Sequence, residues 1–504
     1  MSDTAQNPGA LSADWARELA GSFSEDRANR VARNAVTSDG IMAAARDLAK
    51  MRTYHDTYGI SRAKTGDITN QRQSGRCWMF ATFNVVRAQT MELLDVDTFE
   101  FSQSFGMFYD KLEKTNAFFE NVIATADRPV EDRDVAMILD DGIEDGGYVV
   151  FALNLIQKYG LVPKDAMPET ACSKNSSEMN QQLDRLARKG ALEIRKAHAA
   201  GASLEDLRAI KQRYMAHVHR LLSVCLGEPP TTFNFEYKVG KNAKVDAAKI
   251  SCVEPEPKAD ATGEKTDVAD HDDKDGASSD KSSDKVFILR DKNITPLQFV
   301  ERYVKVDPTD WVDLISNPMD EYPYGHAYHM RIFDSVVGAQ PLHSLNCKME
   351  VLEDAAIRSL KAGVPVAMAC DVLQEFPRHI EDYKYVLALD TMDFASLFGT
   401  DLSMDRKDLL SIRETYLSHE MTFQGVELDE NGRPVAWRIE NSWGKDAGKD
   451  GYLIMSADWF RTYGGNVTVR REFVDEETLN LWDNAPVEEV DPWSNLSRSM
   501  APKH

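Results

Sequence analysis

The chain has 504 residues, 42% of them hydrophobic, and a formal net charge of -23. That length suits about three domains and a large core, and the hydrophobic content excludes wholesale disorder. Such an acid excess, with no basic patch to offset it, argues against nucleic acid, and no apolar run approaches the roughly eighteen residues a spanning helix needs.

The start, Met1-Ser-Asp-Thr-Ala-Gln-Asn-Pro, lacks a basic n-region and an apolar h-region, so no secretory leader is expected. Residues 1–60 carry a helical pattern (Trp15 to Ala20, Ile41 to Ala49), expected to drape over the main body. Residues 61–165 read as a helical lobe. In it, a polar turn, Asn70-Gln-Arg-Gln-Ser-Gly75, runs into Arg76-Cys-Trp-Met-Phe-Ala-Thr-Phe and a helix continuing toward Leu94. Cys77 therefore falls at a helix N-terminus, where free N–H groups and the macrodipole favour an anion, and a lowered thiol pKa is expected. Gln71, six residues upstream across the turn, can bring its amide back toward the sulfur as an oxyanion donor beside the Cys77 N–H, and Trp78 adds an aromatic wall.

Ser102 is a natural N-cap for a second, aromatic-rich helix. Gly146-Gly147 breaks the helical pattern, either to present bare backbone to something lying alongside or only to make a turn. A helix from Val149 to Tyr159 then stops at Gly160. Residues 166–335 read as an insertion. Leu183, Leu186 and Ile194, then Leu207, Ile210, Tyr214, Val218 and Leu221, mark an antiparallel helix pair interrupted by Gly190. Strands at Phe233 to Val239 and Val286 to Arg290 flank an acidic stretch, 251–285, that is expected to be a disordered loop.

Residues 336–480 turn to strands: Val364 to Cys370, Met421 to Leu428, Val435 to Asn441 and Gly451 to Met455, with Asn431-Gly432 marking a hairpin. Helices first and strands last imply two lobes meeting at a cleft, an α+β fold. Six cysteines (77, 172, 225, 252, 347, 370) are scattered without CxxC spacing, the pattern of free thiols in a reducing cytoplasm. Among eleven histidines, His326 and His329 lack a carboxylate at metal spacing, and no metal site is expected. His419 opens a strand and stands, across the hairpin, beside Glu440-Asn-Ser-Trp-Gly444. Asn441 could accept from its imidazole and fix the tautomer while Trp443 shields that bond.

Gln71, Cys77, His419 and Asn441, in that order, with the Gln-x5-Cys spacing, Asn-Ser-Trp-Gly and Asp-Gly-Gly-Tyr, resemble the papain-like cysteine peptidases. Gly-Arg-Cys-Trp in place of Gly-Ser-Cys-Trp and the long Cys-to-His separation resemble one branch, bleomycin hydrolase and bacterial aminopeptidase C. So do Phe-Tyr-Asp-Lys-Leu-Glu-Lys, Lys-Tyr-Gly-Leu-Val-Pro-Lys and Leu-Gly-Glu-Pro-Pro-Thr-Thr-Phe. The resemblance implies a two-lobed fold, a helical lobe plus a β-barrel-like lobe, with a helical insertion that drives assembly into a homohexamer. It implies a cytoplasmic Cys-His-Asn aminopeptidase acting on peptides without a cofactor, with Gly146, Gly147, Trp78 and Trp443 lining the substrate cleft. It further implies that a C-terminal arm, 481–504, lies in that cleft and holds the substrate's amino group, with trimming near Leu496 or Ser497, or displacement, relieving the overlong tail 498–504. The rival readings are a hexameric binding or chaperone-like protein with a vestigial cleft, and a thiol hydrolase of non-peptide amides or thiolactones.

Overall fold

The structure, a computed structural model, describes residues 9–253, 285–389 and 391–500. Most of the acidic stretch expected to be disordered, 254–284, lies outside the described residues, as do 501–504 of the tail. The helix Cys77–Leu94 is the centre of the molecule, with nearly every side chain from Cys77 to Ala88 buried. A helix apolar all round must be packed all round. It ends on Asp95, which takes a left-handed φ of 54°. Beside it lies Gln103–Ala124, whose N-terminus is capped as expected: the Ser102 hydroxyl accepts from the Phe105 N–H at 3.0 Å. Val149–Tyr159 completes this lobe and stops at Gly160.

The expected antiparallel pair is Ser177–Ala199 and Leu204–Leu226. Leu183, Ile194, Leu207, Tyr214, Val218 and Leu222 form its buried seam with Phe119 of the Gln103–Ala124 helix. Gly190 interrupts the apolar pattern because a Cβ there would stand 2.7 Å from the Phe119 ring. Phe233–Val239 and Val286–Ile294 pair as expected, but residues 251–253, read as the start of the loop, extend a third strand, Ile250–Val253, on the other edge of Val286–Ile294.

The second lobe is built on one mixed sheet of eleven strands among the described residues. Its order is Val487–Val490, Ala327–Met330, His343–Asn346, Trp311–Ile315, Asn466–Arg470, Val366–Cys370, His419–Leu428, Pro434–Glu440, Tyr452–Ser456 and Val386–Leu387, with Ile60–Ser61 pairing on His419–Leu428. Two of these strands, Trp311–Ile315 and Ala327–Met330, fall in the stretch 166–335 read as an insertion, yet their hydrogen bonds are with the large sheet. The hairpin turns as its sequence dictates. The Asp429 N–H donates to the Arg433 carbonyl at 2.8 Å, and Gly432 takes a φ of 78°.

Of the N-terminal helices, Ala13–Glu25 leaves Trp15, Leu19 and Phe23 exposed, whereas Arg27–Asp39 lies against the helix Phe394–Phe398 of the body. Further on, Ala45 and Met51 pack on Met392. The two lobes are stitched by the loop before Cys77. The Gln71 N–H donates to the Ser442 carbonyl at 2.8 Å, the Gly444 N–H donates to that of Thr69 at 3.0 Å, and Arg87 pairs with Glu440 at 2.5 Å with both side chains fully buried.

Candidate active site

Cys77 is the first residue of its helix, preceded by Arg76, which offers no side-chain cap. The N–H groups of Cys77 and Trp78 are consequently left to the sulfur, and a third comes from Glu420 on the first turn of the His419–Leu428 strand. All three favour thiolate, as the helix start led one to expect. The net shift is nevertheless the opposite. Burial, reinforced by the Glu420 carboxyl, pushes the thiol up to about 12. Cys77 has no exposed surface, and desolvation of the charged form outweighs three N–H donors.

Arg76 is held by its own contacts. Its guanidinium spans the Glu169 carboxylate at 3.0 and 2.9 Å and donates to the Ser74 hydroxyl and the Ser173 carbonyl. A 93-residue separation between Arg76 and Glu169 left no sequence signal for this anchor. Asp145 performs the same task from the other side. It pairs with Lys111 at 2.6 Å and accepts from the Gly75 N–H, Ser176 and Asn180, which together hold its carboxyl well below the usual range against the opposing effect of burial.

Gln71 is fixed at both ends. Its Oε1 accepts from the Ser442 hydroxyl at 2.7 Å and its Nε2 donates to the Ser74 carbonyl at 2.7 Å, leaving a second amide hydrogen on Nε2. Across the lobe boundary, His419 Nε2 stands 2.9 Å from Asn441 Oδ1, and both residues are buried. That oxygen also accepts the Ser442 N–H at 2.7 Å, which orients the amide. The Trp443 ring lies 4.8 Å from the imidazole, tilted by 34°, with Phe376 stacked behind it. His419 is registered by pairing with Cys370, and the residue just past that strand, Asp371, accepts from Ser418 and Thr415.

Gly147 has a specific cause. A Cβ there would lie 2.5 Å from the Trp78 indole, so the close approach of that ring demands glycine. Trp78 is tied in turn by its Nε1 donating to the Asp145 carbonyl at 2.9 Å. Lys114 donates to the Gly146 carbonyl. His326 and His329 pair with Glu488 and Asp334, at 2.8 and 3.1 Å.

The C-terminal arm runs along the start of the histidine strand. The Leu417 N–H donates to the Arg498 carbonyl at 2.9 Å, Arg498 Nε donates to the Thr415 carbonyl, and Asn317 donates to the Ser499 hydroxyl. Leu496 and Met500 are buried in the same apolar cluster as Trp78 and Tyr148. Leu496 and Ser497, near which trimming was expected, are both buried. Sequence reasoning also missed Glu420, a buried carboxyl on the strand next to the sulfur. Its only signal was that a charged residue occupies a strand whose neighbours are apolar.

A model of the Peptidase C1-like family matches residues 10–254 and 280–497. Aminopeptidase C of Streptococcus thermophilus is 31% identical over 494 residues, spanning 98% of this chain and 100% of that protein. Aminopeptidase W of Lactobacillus delbrueckii subsp. lactis is 34% identical over 474 residues, 94% of this chain and 96% of that one. The crystal structure of PepW from Lactobacillus rhamnosis HN001 superposes with a TM-score of 0.83 at 31% identity, covering 98% of this chain and 99% of that one.

Proposed function

The chain belongs to the Peptidase C1-like family, and on that premise we propose that it is a cytoplasmic cysteine aminopeptidase that releases N-terminal residues from peptides. One observation carries the reading. A buried histidine fixed by Asn441 at 2.9 Å opens a strand whose next N–H reaches the sulfur at the start of the central helix.

In the proposed cycle the Cys77 proton passes to His419 as the sulfur attacks the carbonyl carbon of the first peptide bond. This transfer creates a charge pair and no net charge, so it is less exposed to the burial that disfavours a lone thiolate. The tetrahedral oxyanion takes the Cys77 N–H and the second Gln71 amide hydrogen. His419 returns its proton to the departing amine, leaving a thioester. It then takes a proton from water, which attacks the thioester and frees the amino acid and the thiol. Asn441 keeps the imidazole in one tautomer, Trp443 shields that bond, and the backbone beside Gly146, Gly147 and Trp78 forms the near wall of the cleft.

The arm supports the exopeptidase part of the reading. Its burial beside Trp78 and its contacts with Thr415 and Leu417 leave little room for a chain extending past the scissile residue on that side. A homohexamer is proposed with it. No helix of the described residues is long and apolar enough to cross a membrane. The deciding experiment is N-terminal release from a peptide panel with wild type and Cys77→Ala, with native mass read on the same samples. Release lost in the variant, from a hexamer, is expected. Release that survives in Cys77→Ala would overturn the peptidase reading, and a monomeric mass would overturn the assembly.

A further inference from the structure

The stretch Phe108-Tyr-Asp-Lys-Leu-Glu-Lys114 takes no part in the proposed cycle, yet it lies in the middle of the Gln103–Ala124 helix. Lys111 and Lys114, three residues apart, stand on one face of that helix with Asp110. Against them runs the segment 142–148, which joins the helices Arg133–Asp141 and Val149–Tyr159 and lies outside any helix or strand. Its carbonyls have no ladder to join, and buried backbone groups need partners from elsewhere. The two lysines supply them. Lys111 Nζ donates to the Ile143 carbonyl at 3.0 Å, and Lys114 Nζ donates to those of Glu144 at 3.2 Å, Asp145 at 3.4 Å and Gly146. Two ammonium groups thus gather four consecutive carbonyls of the segment that ends in Gly146-Gly147.

Burying an ammonium is costly unless a carboxylate pairs with it. Each lysine has one: Asp145 stands 2.6 Å from Lys111, and Asp110 stands 2.9 Å from Lys114. The same groups reach the nucleophile's side of the cleft. The Asp145 carboxylate accepts from the Gly75 N–H at 3.1 Å, two residues before Cys77, and the Asp145 carbonyl accepts from Trp78 Nε1. The Lys114 ammonium lies 5.2 Å from the centre of the Trp78 ring, the ring that a Cβ on Gly147 would strike. Lys114 also borders a cavity of about 110 Å³, together with Glu144, Gly146, Phe118, Phe151 and Phe333. It leaves that space unfilled, so its contribution lies in its charge and its hydrogens rather than in packing.

We propose that Lys114 is a positioning residue for the substrate: by holding the carbonyls of residues 144–146 it sets the course of the Gly146-Gly147 backbone along which the peptide lies. The inference rests on the reading of that backbone as the near wall of the cleft, and deepens it by naming the side chain that fixes the wall. Three ammonium hydrogens serve four oxygens, Asp110 Oδ2 and the three carbonyls, so losing the ammonium loosens all of them together. Lys111, through Asp145, ties the same segment to the loop ahead of Cys77. The sulfur takes its own N–H donors from Cys77, Trp78 and Glu420, none of which Lys114 touches. Lys114 therefore bears on substrate binding and leaves the reactivity of the thiol alone.

The test follows leucyl-p-nitroanilide hydrolysis by full-length wild type, Lys114→Ala, Lys114→Met and Lys114→Arg, with alkylation of Cys77 by iodoacetamide at high pH timed on the same samples. In Lys114→Ala and Lys114→Met, KM is expected to rise about tenfold or more, the loss of a charged donor, with kcat within about twofold. The alkylation rate should not move. Lys114→Arg keeps the charge and the donors and should recover part of the loss. Added propylammonium should restore KM in Lys114→Ala by way of the adjoining cavity, whereas propanol should not. Lys114→Met retains the stem of the side chain and gives the same KM reading if the Ala variant fails to fold. An unchanged KM, or a fall in kcat alone, overturns the proposal. So does a KM rise that comes with altered alkylation, or one that propanol restores as well as propylammonium. Hydrolysis that survives in Cys77→Ala would instead sink the peptidase reading, whatever the Lys114 variants do.

Discussion

Glu440 gives the sharpest test of how the lobes are joined. Its carboxylate meets Arg87 with neither side chain exposed and also accepts from Gln424 Nε2, while Arg87 donates further to the carbonyls of Thr65 and Asp67 at 2.9 Å each. Truncation by Glu440→Ala strips the guanidinium of its one carboxylate among the described residues and removes the acceptor of Gln424 Nε2 from a buried space. Removing one partner of such a pair costs about 3–5 kcal/mol. Glu440→Gln keeps an acceptor oxygen. Burial already pushes the Glu440 carboxyl upward by more than Arg87 and Gln424 pull it down, so losing the charge itself costs less, about 1 kcal/mol. The sign with pH follows. A carboxyl whose folded pKa is raised contributes stability that is complete below its unfolded value, near 4.3, and lost as pH rises through the folded value. Wild type should therefore lose ground to Glu440→Gln as pH climbs above about 4.3. Urea midpoints followed by tryptophan fluorescence, read as differences because a chain of this size need not unfold in one step, check both points. Equal losses in the Ala and Gln variants, or a gap that does not move with pH, would refute the reasoning.

Gly147→Ala should displace the Trp78 indole, since a methyl group has 2.5 Å where it needs more, and kcat/KM should fall at least about tenfold with a change in near-ultraviolet dichroism. A silent variant would mean the ring moves freely. Alkylation of Cys77 by iodoacetamide should be slow at pH 6–7 and should accelerate through pH 9, because the thiol is pushed up to about 12 by burial. Deleting the arm from Asn495 onward should raise the rate at pH 7 by exposing the sulfur, whereas equal rates with and without it would show that the arm is not what buries it.

How far the sequence went can be judged residue by residue. The helix from Cys77 to Leu94, the Ser102 cap, the stop at Gly160 and the Asn431-Gly432 hairpin were legible because each depends on neighbours within a turn or two. The pairing of His419 with Asn441 was legible for the same reason, as it spans one hairpin. Arg76 with Glu169 and Arg87 with Glu440 were not, since their partners are 93 and 353 residues apart and any charge nearby in sequence would have looked as suitable. The exposed apolar face of the first helix, Ala13–Glu25, was not legible on similar grounds. An amphipathic pattern says that a face can be buried, not that the fold provides a surface for it.

The thiol shows where local reasoning gives way most clearly. The helix start does what its sequence promises, with the N–H groups of Cys77 and Trp78 acting to lower the pKa. What reverses the outcome is burial, reinforced by the Glu420 carboxyl of a strand that begins more than 340 residues later. A site closed in this way gains from chemistry that moves a proton between two of its own groups over chemistry that keeps a charge standing.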